Sequence, residues 1–556
     1  MSTKSRFITL CALSWVLSAA ASAASVERPL PPVKTAAGSV AGFVLPTGVK
    51  AWWGVPFAQA PVGALRWQPP KSLTWAGVWN ADRKGPECMQ VLRPHDINHY
   101  FGEEASSEDC LYLNIWAPAS ARLGAKLPVV VFLYGGGGTI GSSGMANYGG
   151  DTLAQRGVVF VNFNYRVGVL GFLAHPELSK EQGGHSGNYA YLDQVAALQW
   201  IHDHIAQFGG DPSRVVIMGQ SAGAGSVVQQ LASPLAKGLF SGAVMSSGCN
   251  FNGTQATLAE GERNGLQIQQ RLGAANLEAL RNLPADRIVT AQTEFQVGVN
   301  VASGIRATAV IDGRFMPRSV REQVEAGSMN DVPLIAGFNH DESVNALMNA
   351  QSIDEYRGIA RRMYGADADA FLAMYPVQRV EDIRTVAGQV AREGGLEANA
   401  RSCAQMQAAH AKSKAYVNLF SRRHSYAPGV RIADQDLATV GAYHTADIPF
   451  WFGTLDVFNS LRPTRAWTAF DRELSSTMQD ALVAFAATGS PSTKAVNWPA
   501  WSPANEQKLE WGGAGGTAQV VPVGAARIDW LLKHPAKPVD VAPGTGGNRI
   551  GNGPRD

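Results

Sequence analysis

A serine between two glycines is the clearest chemical signal in the chain. The segment Gly219–Gly223 reads GQSAG and follows Arg214–Met218, a short apolar run that is typical of a buried strand. Ala224–Ala232 then supplies small residues and good helix formers. A serine in a sharp strand-to-helix turn is held in a strained conformation with its hydroxyl exposed, ready to attack a carbonyl carbon. We therefore predict that Ser221 is a nucleophile and that neither glycine has room for a Cβ.

A run of glycines is predicted to bind the negative charge that such an attack creates. Tyr134–Gly138 reads YGGGG and directly follows the apolar strand Leu127–Tyr134. Preorganised backbone N–H groups stabilise an oxyanion, and glycine lets the main chain approach the substrate closely. The predicted donors are the N–H groups of Gly136, Gly137 and Ala222. A phosphate-binding loop is excluded because no Gly-Lys-Ser/Thr follows.

The remaining pattern predicts the elements that position these residues. Apolar strands alternate with helices, which indicates an α/β protein with an open, mostly parallel sheet. Two segments, 255–330 and 345–412, are rich in helix formers and are predicted to be helical insertions at the rim, where they form a gorge. The predicted strands are 127–134, 157–164, 214–218, 242–246, 332–337 and 415–421, and the predicted helices include 192–208 and 474–488.

A family resemblance rests on two of these segments. FGGDPSRVVIMGQSAGAGSV (Phe208–Val227) and EDCLYLN (Glu108–Asn114) resemble the two signatures of the type-B carboxylesterases, the cholinesterase-like branch of the α/β-hydrolases. The chain departs from the usual pattern at Gln220, where Glu is common, and at Ala224, where Gly is common. The resemblance covers residues 30–533 and implies one α/β-hydrolase domain, a large mostly parallel central sheet flanked by helices. It also implies two structural ion pairs, Arg66–Glu108 and Arg166–Asp193.

The resemblance also implies the partners of the serine. A serine hydroxyl needs a base, and the base needs an acid that orients it. The loop around His444 is similar to the histidine segment of the family, except that Thr445 replaces the usual Gly or Ala. The acid is predicted at Glu342, with the adjacent Asp341 as the alternative. His340 is the alternative base, but it precedes the acid and would break the order serine, acid, histidine.

The ends and the charge of the chain indicate an exported protein without a nucleic-acid partner. Residues 1–23 have a basic start, an apolar run and an A-x-A site, which predicts a signal peptide. The apolar run is too short for a membrane span, and no later stretch reaches that length. The 47 basic residues nearly balance the 45 acidic ones. The domain is predicted over 24–534, followed by a disordered tail over 535–556 that is rich in Pro and Gly.

The cysteines agree with export to the periplasm or the medium. Without Cys11, which lies in the predicted signal, four remain, and an even number in an exported chain favours two disulfides. Spacing alone leaves three pairings open. The family resemblance implies Cys88–Cys110, which leaves Cys249 and Cys403 as the second pair.

No cofactor or metal is expected. His202 and His204 are two residues apart on a predicted helix and so point in different directions, which argues against a shared metal. The predicted function is that of a secreted serine esterase that cleaves a small-molecule ester through an acyl-enzyme. Two alternatives fit the same fold: an acyltransferase with the same three residues, and a non-catalytic, cholinesterase-like binding protein.

A fourth glycine suggests a roomy site. Gly138 stands where many relatives carry an aromatic or other bulky residue, so we expect space beside the oxyanion and activity on bulky esters. The alternative is that a neighbouring aromatic residue, Trp451 or Phe452, fills that space. These three residues are the predicted substrate pocket.

Overall fold

A computed structural model describes residues 28–91, 95–102, 105–296 and 307–539. The predicted signal peptide, 1–23, lies outside the described residues, as does 540–556 of the predicted tail. Residues 535–539 have no regular secondary structure, and the Lys537 N–H donates to the Met363 carbonyl at 2.9 Å. The first residues of the predicted tail therefore lie against the domain.

The described residues contain one large sheet and three small ones. The large sheet has 12 strands in the order β1-β4-β5-β9-β11-β10-β12-β13-β16-β17-β18-β19. The strands in chain order are β1 (Arg28–Pro29), β2 (Val33–Lys34), β3 (Ser39–Ala41), β4 (Phe43–Val44), β5 (Lys50–Pro56), β6 (Val78–Asn80), β7 (Glu87–Cys88), β8 (Ser106–Ser107), β9 (Tyr112–Ala117), β10 (Leu127–Leu133), β11 (Val159–Phe163), β12 (Gly210–Gln220), β13 (Gly242–Ser246), β14 (Ala256–Thr257), β15 (Val310–Ile311), β16 (Leu334–Asn339), β17 (Ala415–Phe420), β18 (Gln507–Trp511) and β19 (Ala518–Pro522).

The centre of the large sheet is parallel, as predicted. All pairings from β11 through β10, β12, β13, β16 and β17 to β18 are parallel, whereas β9 and β19 are antiparallel to their neighbours. Strands β10, β11, β13 and β17 are almost wholly buried because helices cover the sheet, which explains their continuous apolar sequences.

Helices pack on this sheet and extend beyond it. Helix α5 packs on β12 and β13, α13 on β16 and β17, and α15 on β10 and β12. The helices in chain order are α1 (Asp151–Gln155), α2 (Gly168–Phe172), α3 (Pro176–Glu181), α4 (Tyr189–His204), α5 (Ala222–Ala232), α6 (Leu258–Arg271), α7 (Leu277–Arg281), α8 (Ala285–Gln296), α9 (Val320–Glu325), α10 (Ile353–Tyr364), α11 (Ala368–Met374), α12 (Ile383–Glu393), α13 (Leu396–His410), α14 (Ile448–Phe452), α15 (Ala469–Thr488) and α16 (Ala525–Lys533).

In their described residues, both predicted insertions are mainly helical, and the first also holds the short strands β14 and β15. The segment 255–330 holds α6–α9 and 345–412 holds α10–α13. In the first insertion, α8 packs on α2, and the Gln292 side chain accepts a hydrogen bond of 2.6 Å from the Val169 N–H. The second insertion forms a separate apolar cluster that includes Tyr356 and Phe371, and Leu531 of α16 joins it.

Covalent and ionic contacts hold the segments before and around the sheet. The disulfides are Cys88–Cys110 and Cys249–Cys403, so the predicted pairing is confirmed. The predicted ion pairs are confirmed as well. Arg66 binds Glu108 through two nitrogens, at 2.5 and 2.7 Å, and Arg166 binds Asp193 at 2.8 Å. All four side chains are mostly buried, which suits a scaffold role.

Candidate active site

Crowded glycines force the turn at Ser221. Ser221 has φ 57° and ψ −125°, a conformation that a non-glycine residue rarely adopts. A Cβ on Gly219 would lie 2.2 Å from the Gly223 carbonyl oxygen, and one on Gly223 would lie 2.1 Å from the Leu133 carbonyl oxygen. The prediction that neither glycine has room for a Cβ is confirmed, and helix α5 begins directly after the serine.

The register of the sheet brings the predicted site residues to one edge. Leu133 pairs with Gly219 across β10 and β12, Gln220 pairs with Ser246 across β12 and β13, and Ser246 pairs with Gly337 across β13 and β16. The carboxyl ends of these parallel strands therefore lie side by side. Ligands of open parallel sheets bind at this edge.

The glycine loop after β10 abuts the serine. A Cβ on Gly135 would lie 3.0 Å from the Ser221 Cβ, and Gly136, Gly137 and Gly138 all have positive φ. The loop carbonyls are engaged, because the Gly136 oxygen accepts from the Thr139 N–H and the Gly138 oxygen accepts from the Gly168 N–H. Within the described residues, the N–H groups of Gly136 and Gly137 donate to no acceptor. They are thus available to an oxyanion.

The predicted base and acid are in direct contact. The His444 Nδ1 lies 2.6 Å from the Glu342 Oε2, and the Glu342 side chain is fully buried. The other Glu342 oxygen accepts hydrogen bonds from the Ser247 hydroxyl and the Asn339 N–H, at 2.9 and 2.5 Å. These bonds fix the carboxylate, so that the imidazole carries its proton on Nδ1 and presents a lone pair on Nε2.

The alternative acid and base lie apart from this contact. Asp341 accepts from the Ala442 N–H at 2.8 Å and lies 2.8 Å from the His340 Nδ1. Burial acts to raise the pKa of Asp341, but the hydrogen bond and charge of His340 outweigh it and lower that pKa. Asp341 therefore supports the histidine loop as an ionised carboxylate.

The Gln220 side chain lies against the His444 Nε2, the atom through which a catalytic base would accept a proton. The Gln220 amide nitrogen lies 3.2 Å from the His444 Nε2. Among the described residues, no hydrogen bond joins the Ser221 hydroxyl to His444. Hydrogen bonds of catalytic groups often form only once substrate is bound. In the free protein, Gln220 is therefore a third neighbour that orients His444.

A second buried carboxylate, that of Asp447, is close enough for its charge to act on His444. Asp447 is buried and accepts hydrogen bonds of 3.2 Å from the Asn339 amide and from the Trp451 indole. Burial, reinforced by the charge of Glu342, raises the pKa of Asp447 to about 6, against hydrogen bonds from Asn339 and Ser246. Sequence reasoning gave this residue no role, although an acid inside the apolar run before Phe450 is a signal of burial.

These two carboxylates set the proton affinity of the histidine. Burial acts to lower the pKa of His444, but the hydrogen bond and charge of Glu342, together with the charge of Asp447, outweigh it and raise that pKa. About a third of the His444 side chain is exposed, 32%. The imidazole is thus a base that substrate or solvent can reach.

Thr445 is strained where the family usually has Gly or Ala. Its φ is 77°, which a β-branched residue rarely adopts. Its hydroxyl lies 2.5 Å from the His99 Nε2, so a side-chain contact accompanies the strain. This contact ties the histidine loop to the segment between Cys88 and Cys110.

The space beside Gly138 is bounded by Phe172. A Cβ on Gly138 would lie 3.5 Å from the Phe172 ring, which packs edge-on against Tyr191. Sequence reasoning did not single out Phe172, because only the fold brings α2 to this loop. Trp451 and Phe452 are fully buried in the core, where Phe452 packs against Phe132.

The described residues hold neither a metal-binding cluster nor a membrane-spanning helix. They contain no group of three or more His, Cys, Asp or Glu residues that could hold a metal ion. Across the same residues, we find no helix with the length and apolar character needed to cross a membrane.

Known proteins resemble this chain over nearly its whole length. The sequence profile described as "Carboxylesterase family" matches residues 29–519. Fumonisin B1 esterase of Sphingopyxis macrogoltabida is 35% identical over 504 residues, which cover 88% of each chain. Para-nitrobenzyl esterase of Bacillus subtilis (strain 168) is 31% identical over 489 residues, 86% of this chain and 94% of that one. A solved PNB esterase structure has a TM-score of 0.71 at 28% identity, and covers 90% of this chain and 99% of its own.

Proposed function

The chain belongs to the carboxylesterase family and is a carboxylic ester hydrolase, and on that premise we propose that Ser221, His444 and Glu342 form its catalytic triad. The observation that carries the proposal is the 2.6 Å contact between His444 and Glu342 at the sheet edge where Ser221 stands in its strained turn. A serine needs both partners to become a nucleophile at neutral pH.

The reaction runs in two halves. The Ser221 oxygen attacks the ester carbonyl while its proton moves to the His444 Nε2, and the Gln220 amide gives up that nitrogen. The N–H groups of Gly136, Gly137 and Ala222 bind the oxyanion. The C–O bond to the alcohol then breaks, and the alcohol leaves with the proton from His444. Water attacks the acyl-enzyme by the same route, which releases the acid and restores Ser221.

Substitution of the serine tests the triad. We expect Ser221→Ala to lower kcat by about 10⁴- to 10⁶-fold, because nucleophile and base act as a unit. Ser213→Ala, an exposed serine on the same strand, is the control. A fluorophosphonate should add its mass to the peptide that contains Ser221 and to no other. Turnover of Ser221→Ala within tenfold of the parent would refute the mechanism.

Product analysis separates hydrolysis from acyl transfer. The names of the relatives describe esterases and hydrolases, which favours water as the acyl acceptor. With an added alcohol, the free acid should remain the main product. If the new ester formed in excess over the acid, an acyltransferase would replace the hydrolase.

Gly138 supports a preference for bulky esters. No side chain stands at this position, and the Phe172 ring is in ordinary contact distance rather than filling it. Gly138 has φ 74°, so any side chain there adds strain, and Gly138→Ala controls for that strain. Relative to Gly138→Ala, we expect Gly138→Phe to lose more than tenfold activity on tert-butyl acetate and little on ethyl acetate. Equal losses on both esters would contradict the preference.

The disulfides support export. Two disulfides are stable in the periplasm or the medium, and residues 1–23 resemble a signal peptide. The exported protein should begin at Ala24 and show no free thiol when denatured without reductant. One titrating thiol, that of Cys11, would mean that the signal is retained. More than one would argue against the oxidised state.

A further inference from the structure

A cavity of 120 Å³ lies between the segment after Cys88 and the segment after α14. Its polar lining includes His95, Asn98, Arg462 and Arg465, and its apolar lining includes Ile97 and Phe458. The cavity is connected to the proposed catalytic loop, because Arg465 donates a hydrogen bond of 3.3 Å to the hydroxyl of Tyr443, the residue before His444.

Arg465 is a buried cation without a carboxylate partner. Its relative exposure is 3%, and no Asp or Glu among the described residues lies within ion-pair distance of it. Its N–H groups instead donate to neutral acceptors, the Asn98 amide oxygen at 2.5 Å and the His424 Nδ1 at 3.2 Å. A fully buried guanidinium is normally paired with an anion, because an uncompensated charge is expensive to remove from water.

The groups in direct contact with Arg465 add no negative charge. The Nε2 of His424 donates to the Ala446 carbonyl at 2.8 Å, so the Nδ1 is the acceptor and the ring is neutral. Burial and the charge of Arg465 together hold the pKa of His424 well below its usual value. The rings of Tyr426 and Phe458 lie 4.3 and 4.9 Å from the guanidinium carbon, and aromatic faces of this kind stabilise a cation only in part.

Two carboxylates lie near the cavity: Asp434 behind its wall, and the exposed Asp96 between the lining residues His95 and Ile97. Asp434 accepts from the Asn98 N–H at 2.9 Å, and burial raises the pKa of this carboxyl despite that bond and the charge of Arg465. It binds the backbone of the wall rather than the guanidinium. Arg462, exposed at the rim, adds a second positive charge. The cavity therefore has a positive end and an apolar end.

We propose that this cavity binds a small organic carboxylate, with its charge on Arg465 and Arg462 and its hydrocarbon part against Ile97 and Phe458. All three guanidinium nitrogens of Arg465 already donate within the protein, so Arg465 attracts the carboxylate mainly by its charge and Arg462 supplies the paired hydrogen bonds. The apolar lining favours an organic anion over an inorganic one. The carboxylate has two possible sources: an acid group on the ester substrate, or a free acid such as the product of hydrolysis. The binding itself does not depend on the proposed catalytic triad.

Thermal melting of Ser221→Ala, which cannot turn over a substrate through the serine, tests the site. At constant ionic strength, saturating sodium butyrate should raise the Tm by about 2 °C relative to sodium chloride. The shift should fall by at least half in a second variant that also carries Arg462→Gln, whose exposed position is tolerant of change. Arg472→Gln is the control, because Arg472 is exposed, pairs with Asp456 and does not line the cavity.

Three results would overturn the proposal: no shift with butyrate, the same shift in Arg462→Gln as in the control, or a shift with inorganic phosphate alone. Arg465→Met is a stricter variant, and it is informative if its circular dichroism matches that of the parent. In that variant the shift should vanish.

Kinetics of the active enzyme distinguish the two sources. Mono-p-nitrophenyl succinate and p-nitrophenyl butyrate differ chiefly in a carboxylate. If the substrate supplies the acid, Arg462→Gln should raise KM for the succinate ester at least threefold and leave KM for the butyrate ester unchanged. If a free acid binds, added butyrate should change kcat for the neutral ester without competing with it. Either result supports the site, and the absence of both would overturn the proposal even if the Tm shifts, because the acid would then bind elsewhere on the protein.

Discussion

The loops that carry Ser221 and His444 both hold a non-glycine residue at positive φ, yet different forces maintain them. At Ser221, φ 57°, the backbone has no alternative, because Gly219 and Gly223 are pressed against carbonyl oxygens. Beside His444, at Thr445, φ 77°, the loop is held by side chains that come from distant segments. Asn339 donates to the Tyr443 carbonyl at 2.8 Å, and Asp341 accepts from the Ala442 N–H at 2.8 Å.

The difference shows which residues determine the conformation of each loop. The serine turn depends on the sizes of residues within one short segment. The histidine loop depends on hydrogen bonds that join residues about 100 positions apart along the chain. A single added carbon should therefore disrupt the conformation of the serine turn. The histidine loop should instead respond in a graded way to changes of charge and hydrogen bonding.

Adding one carbon to the serine turn should have the largest effect. Gly223→Ala places a Cβ 2.1 Å from the Leu133 carbonyl oxygen, so the turn must move. We expect a loss of about 3 kcal/mol in the free energy of unfolding and more than 100-fold in kcat/KM. Gly225→Ala is the matched control in the same helix. A Cβ there meets nothing within 4 Å, and alanine should stabilise the helix by up to about 1 kcal/mol. Similar stabilities for the two variants would show that the turn is not fixed by crowding.

A charge beside the base should have the next largest effect. In Gln220→Glu, a carboxylate replaces the amide that lies 3.2 Å from the His444 Nε2. It should hold the imidazole in its protonated form and raise the pKa of the acid limb of kcat/KM by about 1 to 2 units. Activity at pH 6 should then fall about tenfold or more, while activity at high pH changes less. Gln220→Leu, which adds no charge, should leave the position of the limb nearly unchanged. An unshifted limb in the Glu variant would mean that residue 220 does not face the base during catalysis.

Removing the buried charge should act in the opposite direction and more weakly. The charge of Asp447 is one cause of the raised pKa of His444, so Asp447→Asn should move the acid limb to lower pH, by about 0.5 to 1 unit. Asp354→Asn, whose carboxylate is 96% exposed, is the control. If the acid limb of kcat/KM moved to higher pH, or moved equally in both variants, the charge of Asp447 would not be acting on His444.

The same substitution should change how stability depends on pH. The pKa of Asp447 is raised from 3.8 to about 6, so the folded state binds the proton more tightly than the unfolded state. The contribution of this group to stability therefore falls as pH rises from about 4 to about 6. Asp447→Asn should lack that part of the slope. Melting curves of both proteins between pH 4 and pH 7 provide the comparison.

The smallest effect is expected at Thr445. Thr445→Gly removes backbone strain of about 1 to 2 kcal/mol, but it loses the contact with His99 and gains freedom in the unfolded chain. These changes nearly cancel, so the free energy of unfolding should change by less than about 1 kcal/mol. Thr445→Val keeps the strain and loses only the hydroxyl, and should destabilise by about 1 kcal/mol. Chemical denaturation resolves the two. A Gly variant that is stabilised by more than 2 kcal/mol would show that the His99 contact contributes little.

The comparison also explains what the sequence could predict. The serine turn and the strand β13 were predicted from local pattern alone, because glycine spacing and continuous apolar runs reflect short-range constraints. Strand β12 is longer than predicted, since Gly210–Ser213 is also extended, and α4 begins three residues earlier than expected. The strands β9, β18 and β19 were not predicted. Polar residues within these strands, among them Glu510, interrupt the apolar pattern, so that only pairing with neighbouring strands identifies them.

The residues of the candidate site also differ in whether local sequence could predict them. Ser221 followed from its neighbours in the chain, whereas Glu342 and His444 were identified by family resemblance. Asp447 and Phe172 were not assigned a role, because their importance arises from contacts with Asn339 and with Gly138 that no local pattern encodes. Long-range hydrogen bonds and packing contacts become visible only in the folded protein.

The order of strands has a consequence for the growing chain. Strand β17 (Ala415–Phe420) pairs on its outer side with β18 (Gln507–Trp511), which is synthesised roughly ninety residues later, after His444. A nascent or truncated chain can therefore contain every residue of the proposed triad while the edge of β17 is still open. Open strand edges are templates for pairing with other chains. C-terminal truncation before Gln507 should thus produce aggregation rather than a soluble, inactive enzyme, although no residue of the proposed chemistry has been removed.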